Sequence, residues 1–403
     1  MRKSVLVLLI AVILITVSAV LITTYLPVLV EVQEAYLKWK FATGANVLSS
    51  PTLYDDVVYV GSFDTKLYGL NASNGGEIWE FQTHGPIYSS PAVREGIVYV
   101  GSMDAILYAV NATDGTEIWK YQAGAGIESS PSVCEGIVYF GASDHNVYAL
   151  NASSGLLEWQ YYTQTFVSGS PSVFDGIVYI GSYDGHYHGQ LHALNVTTGQ
   201  KLWEFDTAGE VGTLHPQVYE GTVYFGSWDN NVYALNARTG ERIWNYTTGD
   251  HITGLAPRVQ DGVVYFGSCD FEVYALNATD GEKIWSYRTD GRVQSTPCIL
   301  NETIYVGSDD SNIYALDAKT GLRHWNFTTG GAVDSSTIVD NGTIYFGSGD
   351  GCVYALEVRS KWVHDYVFLV PISSFIVFMS CVLLVFAIPK KVAFATSSWS
   401  SLI

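Results

Sequence analysis

The chain is expected to fold as an all-β, eight-bladed β-propeller of four-stranded antiparallel blades, and three observations predict it. Tryptophan recurs in one frame at Trp39, Trp79, Trp119, Trp159, Trp203, Trp244, Trp285 and Trp325, at spacings of 40, 40, 40, 44, 41, 41 and 40 residues. Between them the sequence divides into short alternating apolar and polar runs separated by Gly, Asn and Asp, the pattern of half-buried strands joined by tight turns. A unit of about 40 residues built this way cannot bury its own apolar face and must stack on its neighbours, as in a propeller.

Residues 1–30 read as a signal peptide or an N-terminal membrane anchor. Arg2 and Lys3 precede the almost wholly apolar stretch Val5 to Val30. Val17-Ser18-Ala19 offers a cleavage site, while the apolar run continues beyond it.

The propeller is expected over residues 37–358. Leu37 to Ala42 (LKWKFA) is a Trp-bearing strand with no unit of its own, whereas the last unit ends at Ala355-Leu356-Glu357-Val358 without such a strand. Residues 37–42 are therefore expected to complete the last blade and close the ring, which leaves no open sheet edge at the seam.

The first full unit shows the scheme. Ser49 to Tyr54, Val57 to Gly61, Lys66 to Leu70 and Glu77 to Gln82 read as four strands. A Gly-Ser-x-Asp (GSxD) turn begins at Gly61 and recurs at Gly101, Gly181, Gly226, Gly267, Gly307 and Gly347, with Gly141-Ala142-Ser143-Asp144 as its variant. Tyrosine recurs at one place in the second strand, from Tyr59 to Tyr345, and at one place in the third, from Tyr68 to Tyr354. Such ladders read as packing between blades.

At the C-terminus, residues 366–388 hold no charge over 23 positions, roughly 34 Å as a helix at about 1.5 Å per residue, enough to cross a bilayer. Lys390 and Lys391 follow, so the positive-inside rule assigns residues 389–403 to a cytoplasmic tail and the propeller to the other side. The chain is thus expected to be membrane-integral, with its propeller at the cell surface or in a periplasm-like space.

A net charge of −19 argues against a nucleic-acid partner. The five cysteines have no metal-ligand spacing, and free thiols are the expected state, although Cys269 and Cys298 lie in neighbouring units.

The motif A-L-N-A-x-x-G-x-x-x-W resembles the tryptophan-docking motif of PQQ-type propeller repeats. Asn71, Asn111, Asn151, Asn195, Asn236 and Asn277 stand where that motif usually has Asp, which is kept at Asp317. The resemblance covers roughly Trp39 to Glu357 and implies one of two roles. Quinoprotein dehydrogenases hold a quinone and Ca²⁺ over the channel, in longer chains with a vicinal cysteine pair. The compact BamB-type outer-membrane assembly propellers are non-enzymatic scaffolds. This chain has no adjacent cysteines and nearly uniform spacing, so the resemblance favours a scaffold for protein partners at a cell envelope, with no cofactor. The alternatives are a membrane-bound PQQ-dependent oxidoreductase using PQQ and Ca²⁺, and a surface sensor for a ligand or polysaccharide.

Candidate sites lie where the repeat breaks. The fourth unit carries four extra residues, bringing Asp184, His186 and His188 close in sequence. Alternation places both imidazoles on one side, a pattern suited to Zn²⁺ or Cu²⁺; a solvated loop is the structural alternative. His84, His145, His215 and His251 map to the same face, and His192 replaces a ladder tyrosine. Three residues before each unit's first proline or its equivalent, Leu48, Tyr88, Glu128, Ser168, Thr213, Gly254, Gln294 and Asp334 are expected to ring the channel mouth. Of these, Tyr88, Glu128, Gln294 and Asp334 are the candidate ligand residues; with little cationic help beyond Arg292, the ring suits a small cation or nothing rather than an anionic quinone. Nine N-x-S/T sequons, at Asn71, Asn111, Asn151, Asn195, Asn245, Asn277, Asn301, Asn326 and Asn341, are candidate glycosylation sites.

Overall fold

The computed structural model describes residues 25–368 except 187, 212–214 and 254–255. It divides into two units: Gln33–Arg359 holds the propeller, and the second takes in residues 1–32 and 360–403, of which 25–32 and 360–368 are described, as strand.

Blade 1 pairs Thr52–Tyr54, Val57–Gly61, Lys66–Asn71 and Glu77–Gln82 in that order. The same four-strand order builds blades 2 to 7, over residues 92–122, 132–162, 172–207, 217–247, 258–288 and 298–328. The eighth sheet runs Tyr25–Ala42, Cys352–Phe368, Thr343–Ser348, Ile338–Asp340. The N-terminal strand therefore occupies the outer position of the last blade, where Trp39 packs against Tyr345 and Ala355.

Parts of both expected membrane segments, Tyr25 to Val30 and Tyr366 to Phe368, are here the outer ends of strands, and the rest of each lies outside the described residues. No helix among the described residues is long and apolar enough to cross a membrane. Cys134, Cys269, Cys298 and Cys352 are free thiols.

First strands are shorter than the sequence suggests, beginning at Thr52 rather than Ser49. Pro51 has no N–H to give a ladder, and the Ser50 N–H is spent on Ser90 Oγ of the next blade, 2.9 Å away. That bond belongs to a relay around the channel: Thr296 N–H donates to Ser336 Oγ, Ser336 to Ser50, Ser50 to Ser90, Ser90 to Ser130 and Ser130 to Ser170, over 2.9–3.1 Å. In blades 5 and 6, His215 and Ala256 hold the place of the serine.

Antiparallel order puts turns alternately at two ends of each blade. GSxD turns and blade-to-blade connections share one end, where Met103 N–H donates to Pro86 O at 3.0 Å. Docking turns and first-to-second strand turns share the other, where Ala72 N–H donates to Asp56 O at 2.9 Å.

The repeat's chemistry resolves into two devices. Trp79 Nε1 and the Tyr59 hydroxyl both donate to Ala112 O, each at 3.0 Å, so one carbonyl of the following docking turn receives both aromatics. Gly115 of that turn lies on the Trp79 ring at a φ of 73°, and a Cβ there would sit 2.8 Å from the indole. Glycine is thus required twice, by backbone and by contact. At the other end, the GSxD aspartate collects the third-strand tyrosine and the preceding connection: Asp64 Oδ2 accepts from the Tyr68 hydroxyl at 2.7 Å and from Gly44 N–H at 2.6 Å.

Trp39, Trp79, Trp119, Trp159, Trp203, Trp244 and Trp285 all donate to a docking-turn carbonyl at 2.9–3.1 Å. Trp325 does not: its buried Nε1 has no partner among the described residues. In blade 8 the chain runs straight on through Cys352–Phe368, so no docking turn forms to supply the carbonyl or the glycine.

Candidate binding face

The end carrying the GSxD turns is where the repeat varies most. Its variable position holds Phe63, Met103, Ser143, Tyr183, Trp228, Cys269, Asp309 and Gly349 in blade order. Several are open to solvent: Met103 is 36% and Trp228 38% exposed, beside Tyr88 at 40% and Phe166 at 37%. Phe63 and Tyr88 pack with ring centroids 4.2 Å apart. Trp228 stacks on His251 at 5.7 Å and 16°, and the His251 Nδ1 lies 2.9 Å from Asn230 Oδ1.

The Trp228–His251 pair borders two cavities. One, of about 340 Å³, is lined by Gly185, His186, Glu210 and Ala208. The other, of about 380 Å³, is lined by Asp250, Thr253, Cys269, Arg292 and Gln294. Each is within the ~300–1,000 Å³ of small-molecule sites.

Two acidic groupings lie at the mouth. Glu128 and Glu210 come close enough to repel, and burial, with that repulsion, pushes Glu210 up to about 7; burial also raises Glu128. Asp334 is likewise raised to about 7, by burial and by the Asp309 carboxyl beside it; its Oδ1 is buried without a partner among the described residues. Gln294 Nε2 donates to Asp309 Oδ1 at 3.1 Å and its Oε1 accepts from Thr253 at 3.1 Å. Gln294 and Asp334 thus meet at Asp309, Glu128 lies instead with Glu210, and Tyr88 is engaged with Phe63. Glu210 and Asp309 escaped the sequence reading because they come from a blade connection and a GSxD turn, at positions the Pro-based count does not visit.

Asp184, His186 and His188 form a local turn. Asp184 Oδ1 accepts from His186 N–H at 2.8 Å and from His188 N–H at 3.2 Å, and both imidazoles are exposed. Among the described residues no three His, Cys, Asp or Glu side chains are grouped to hold a metal ion. The insertion lengthens the second and third strands of blade 4, which add Tyr183↔Gly189 to the ladder beyond Ser182↔Gln190, a pair whose counterpart blades 3 and 8 also form. His192 is buried, its Nε2 2.8 Å from Ser182 Oγ, and burial lowers its pKa to about 4. His145 stacks on Tyr162. His215 departs from the expected face: it lines the channel cavity together with Ser50, Ser90 and Ser130.

The sequon asparagines fall into two sets. In the docking turns, Asn Oδ1 caps the turn, as where Asn71 accepts from Ser73 N–H at 3.0 Å; Asn111, Asn151, Asn195 and Asn277 do the same. Asn245, Asn301, Asn326 and Asn341 are exposed.

Eight four-stranded blades, locked by Trp and Tyr onto an Ala-x-x-Gly turn, define a tryptophan-docked propeller of the PQQ-repeat class. The chain belongs to the family described as outer membrane protein assembly factor BamB, whose profile matches residues 17–91, 74–170, 163–258 and 251–362. Among solved structures it is similar to BamB from Moraxella catarrhalis, with a TM-score of 0.68 and 20% identity over 80% of this chain and 100% of that one. It is also similar to the computationally designed Ika8 protein (0.69, 17%, 78% and 96%). A third similar fold is the quinohemoprotein alcohol dehydrogenase of Comamonas testosteroni (0.66, 15%, 80% and 76%). At these identities the likeness is one of fold. None of the curated proteins compared matches the chain significantly.

Proposed function

We propose that this chain is a non-enzymatic scaffold that binds proteins through its GSxD-turn face, held at a cell envelope by its apolar terminal segments. The observation that carries the reading is the exposed Trp228–His251 stack between two cavities, on the face where the blades diverge. Aromatic side chains beside pockets are what anchor protein interfaces. The family to which the chain belongs, described by an assembly factor, supports the same reading.

The similar fold of a quinohemoprotein dehydrogenase raises the question of a quinone. The mouth residues do not fit an anionic quinone such as PQQ: Glu128, Glu210, Asp309 and Asp334 would face its carboxylates, and Arg292 is the cation beside them. Crosslinked pull-down from native membranes, set beside dye reduction after reconstitution with PQQ and Ca²⁺, separates the roles. The scaffold reading expects defined protein adducts and no dye reduction; PQQ-dependent turnover would contradict it.

The sequons are proposed to carry glycans, chiefly at the docking-turn end, which leaves the GSxD-turn face clear for partners. Intact mass of the native protein should exceed that of the polypeptide by whole glycan units; a mass equal to the bare chain overturns this.

A further inference from the structure

The central channel holds a second feature, away from the aromatic face. A cavity of about 420 Å³ runs from the level of the serine relay toward the first-to-second strand turns, bordered by first-strand residues such as Val173, Phe174, Gln217 and Arg258. None of the described residues lining it is acidic, in a chain with 39 acidic and 20 basic residues. That contrasts with the carboxylates at the other end of the channel.

The lining is rich in donors. Ser50, Ser90, Ser130, Ser170 and Ser336 each accept a backbone N–H through Oγ, and a hydroxyl used as an acceptor keeps its own proton to donate. The relay fails at His215 and Ala256, so the ring is open on one side, and His215 and Arg258 stand at that opening. Burial lowers the His215 pKa to about 4, so near neutral pH it is an uncharged ring with one N–H. Arg258 is exposed, and its guanidinium, near the Cys298 thiol, makes no hydrogen bond or ion pair among the described residues. A guanidinium free to act as a fork, beside an imidazole and a row of hydroxyls, matches the oxygens of a carboxylate or phosphate.

We infer that this end of the channel binds a small oxyanion, with Arg258 supplying the charge and His215 and the serine hydroxyls the hydrogen bonds. The cavity volume falls within the ~300–1,000 Å³ range of small-molecule sites and leaves room for an organic carboxylate as well as for inorganic phosphate. The break in the repeat explains the location: serines at His215 and Ala256 would extend the relay, whereas their replacement leaves a gap, and the first strand of blade 6 sets Arg258 beside it. The site is separate from the proposed protein-binding face and does not depend on it.

Calorimetric titration of the full-length chain with inorganic phosphate, succinate and choline tests the inference. Saturable heat is expected with phosphate, succinate or both, and none with choline. The anion that binds identifies the source as inorganic or organic. Arg258→Gln should weaken binding at least tenfold and Arg258→Glu should abolish it, with far-UV circular dichroism unchanged. Independently of any variant, the His215 imidazole resonances of the wild-type chain should shift on adding the anion that binds. No saturable heat from either anion, wild-type affinity in Arg258→Glu, or unmoved His215 resonances would overturn it.

Discussion

At the scale of single residues, the same amino acid meets different demands according to its surroundings. Gly115 and Gly96 both have positive φ, 73° and 76°, yet a Cβ on Gly115 would meet the Trp79 ring whereas one on Gly96 meets nothing within 4 Å. Gly96→Ala should therefore cost about 1–2 kcal/mol of backbone strain, and Gly115→Ala clearly more; equal losses by chemical denaturation would contradict the docking geometry. Carboxylates show a similar contrast. Glu210 and Asp334 are held near 7, above their unfolded values of about 4, so between those limits the folded state binds more protons than the unfolded one. Their contribution to stability is complete at low pH and is lost as pH rises from about 4 to about 7. His192 and His215, lowered to about 4, act in the opposite sense below about 6.5. The difference between wild type and the pair Glu210→Gln, Asp334→Asn is thus the informative quantity. Relative to wild type, that variant should gain thermal stability as pH rises from about 5 to about 7, and a pH-independent difference would count against the buried acids.

At the scale of elements, the blade was legible and its joints were partly so. Trp spacing, turn residues and the isolated LKWKFA strand led to eight blades and their closure because strand period and turn chemistry are local properties. That the second-strand Tyr and the fourth-strand Trp converge on one carbonyl was not legible, since the acceptor sits about 33 residues beyond the Trp. Nor was the weakness of one joint. Trp119 Nε1 donates to Ala152 O at 2.9 Å, while Trp325 Nε1 is buried and unpaired among the described residues. A neutral hydrogen bond contributes about 1 kcal/mol and an unsatisfied buried donor costs about 1–3 kcal/mol. Trp119→Phe should therefore lower the melting temperature more than Trp325→Phe does. The reverse order would mean that the joint between blades 7 and 8 is held as the others are.

At the scale of the whole molecule, repetition builds a ring and its lapses supply the chemistry. The four-residue insertion drew attention to His186 and His188, but the fold spends Asp184 on their backbone amides and sets Trp228 and His251 beside His186 instead. Trp228 occupies the variable place of a GSxD turn and was hidden by regularity, because a Trp outside the docking frame carries no periodic signal. The acidic mouth and the acid-free lower channel likewise emerge only when eight connections are gathered around one axis. That proteins dock on the GSxD-turn face is tested most directly by photocrosslinking in native membranes, with a photoreactive residue at Trp228 or Tyr88 and, for comparison, at Asn74 or Asp114 in the docking turns. Adducts of discrete mass from the first pair and none from the second are predicted. Adducts from the docking-turn positions alone, or from neither end, would contradict the assignment.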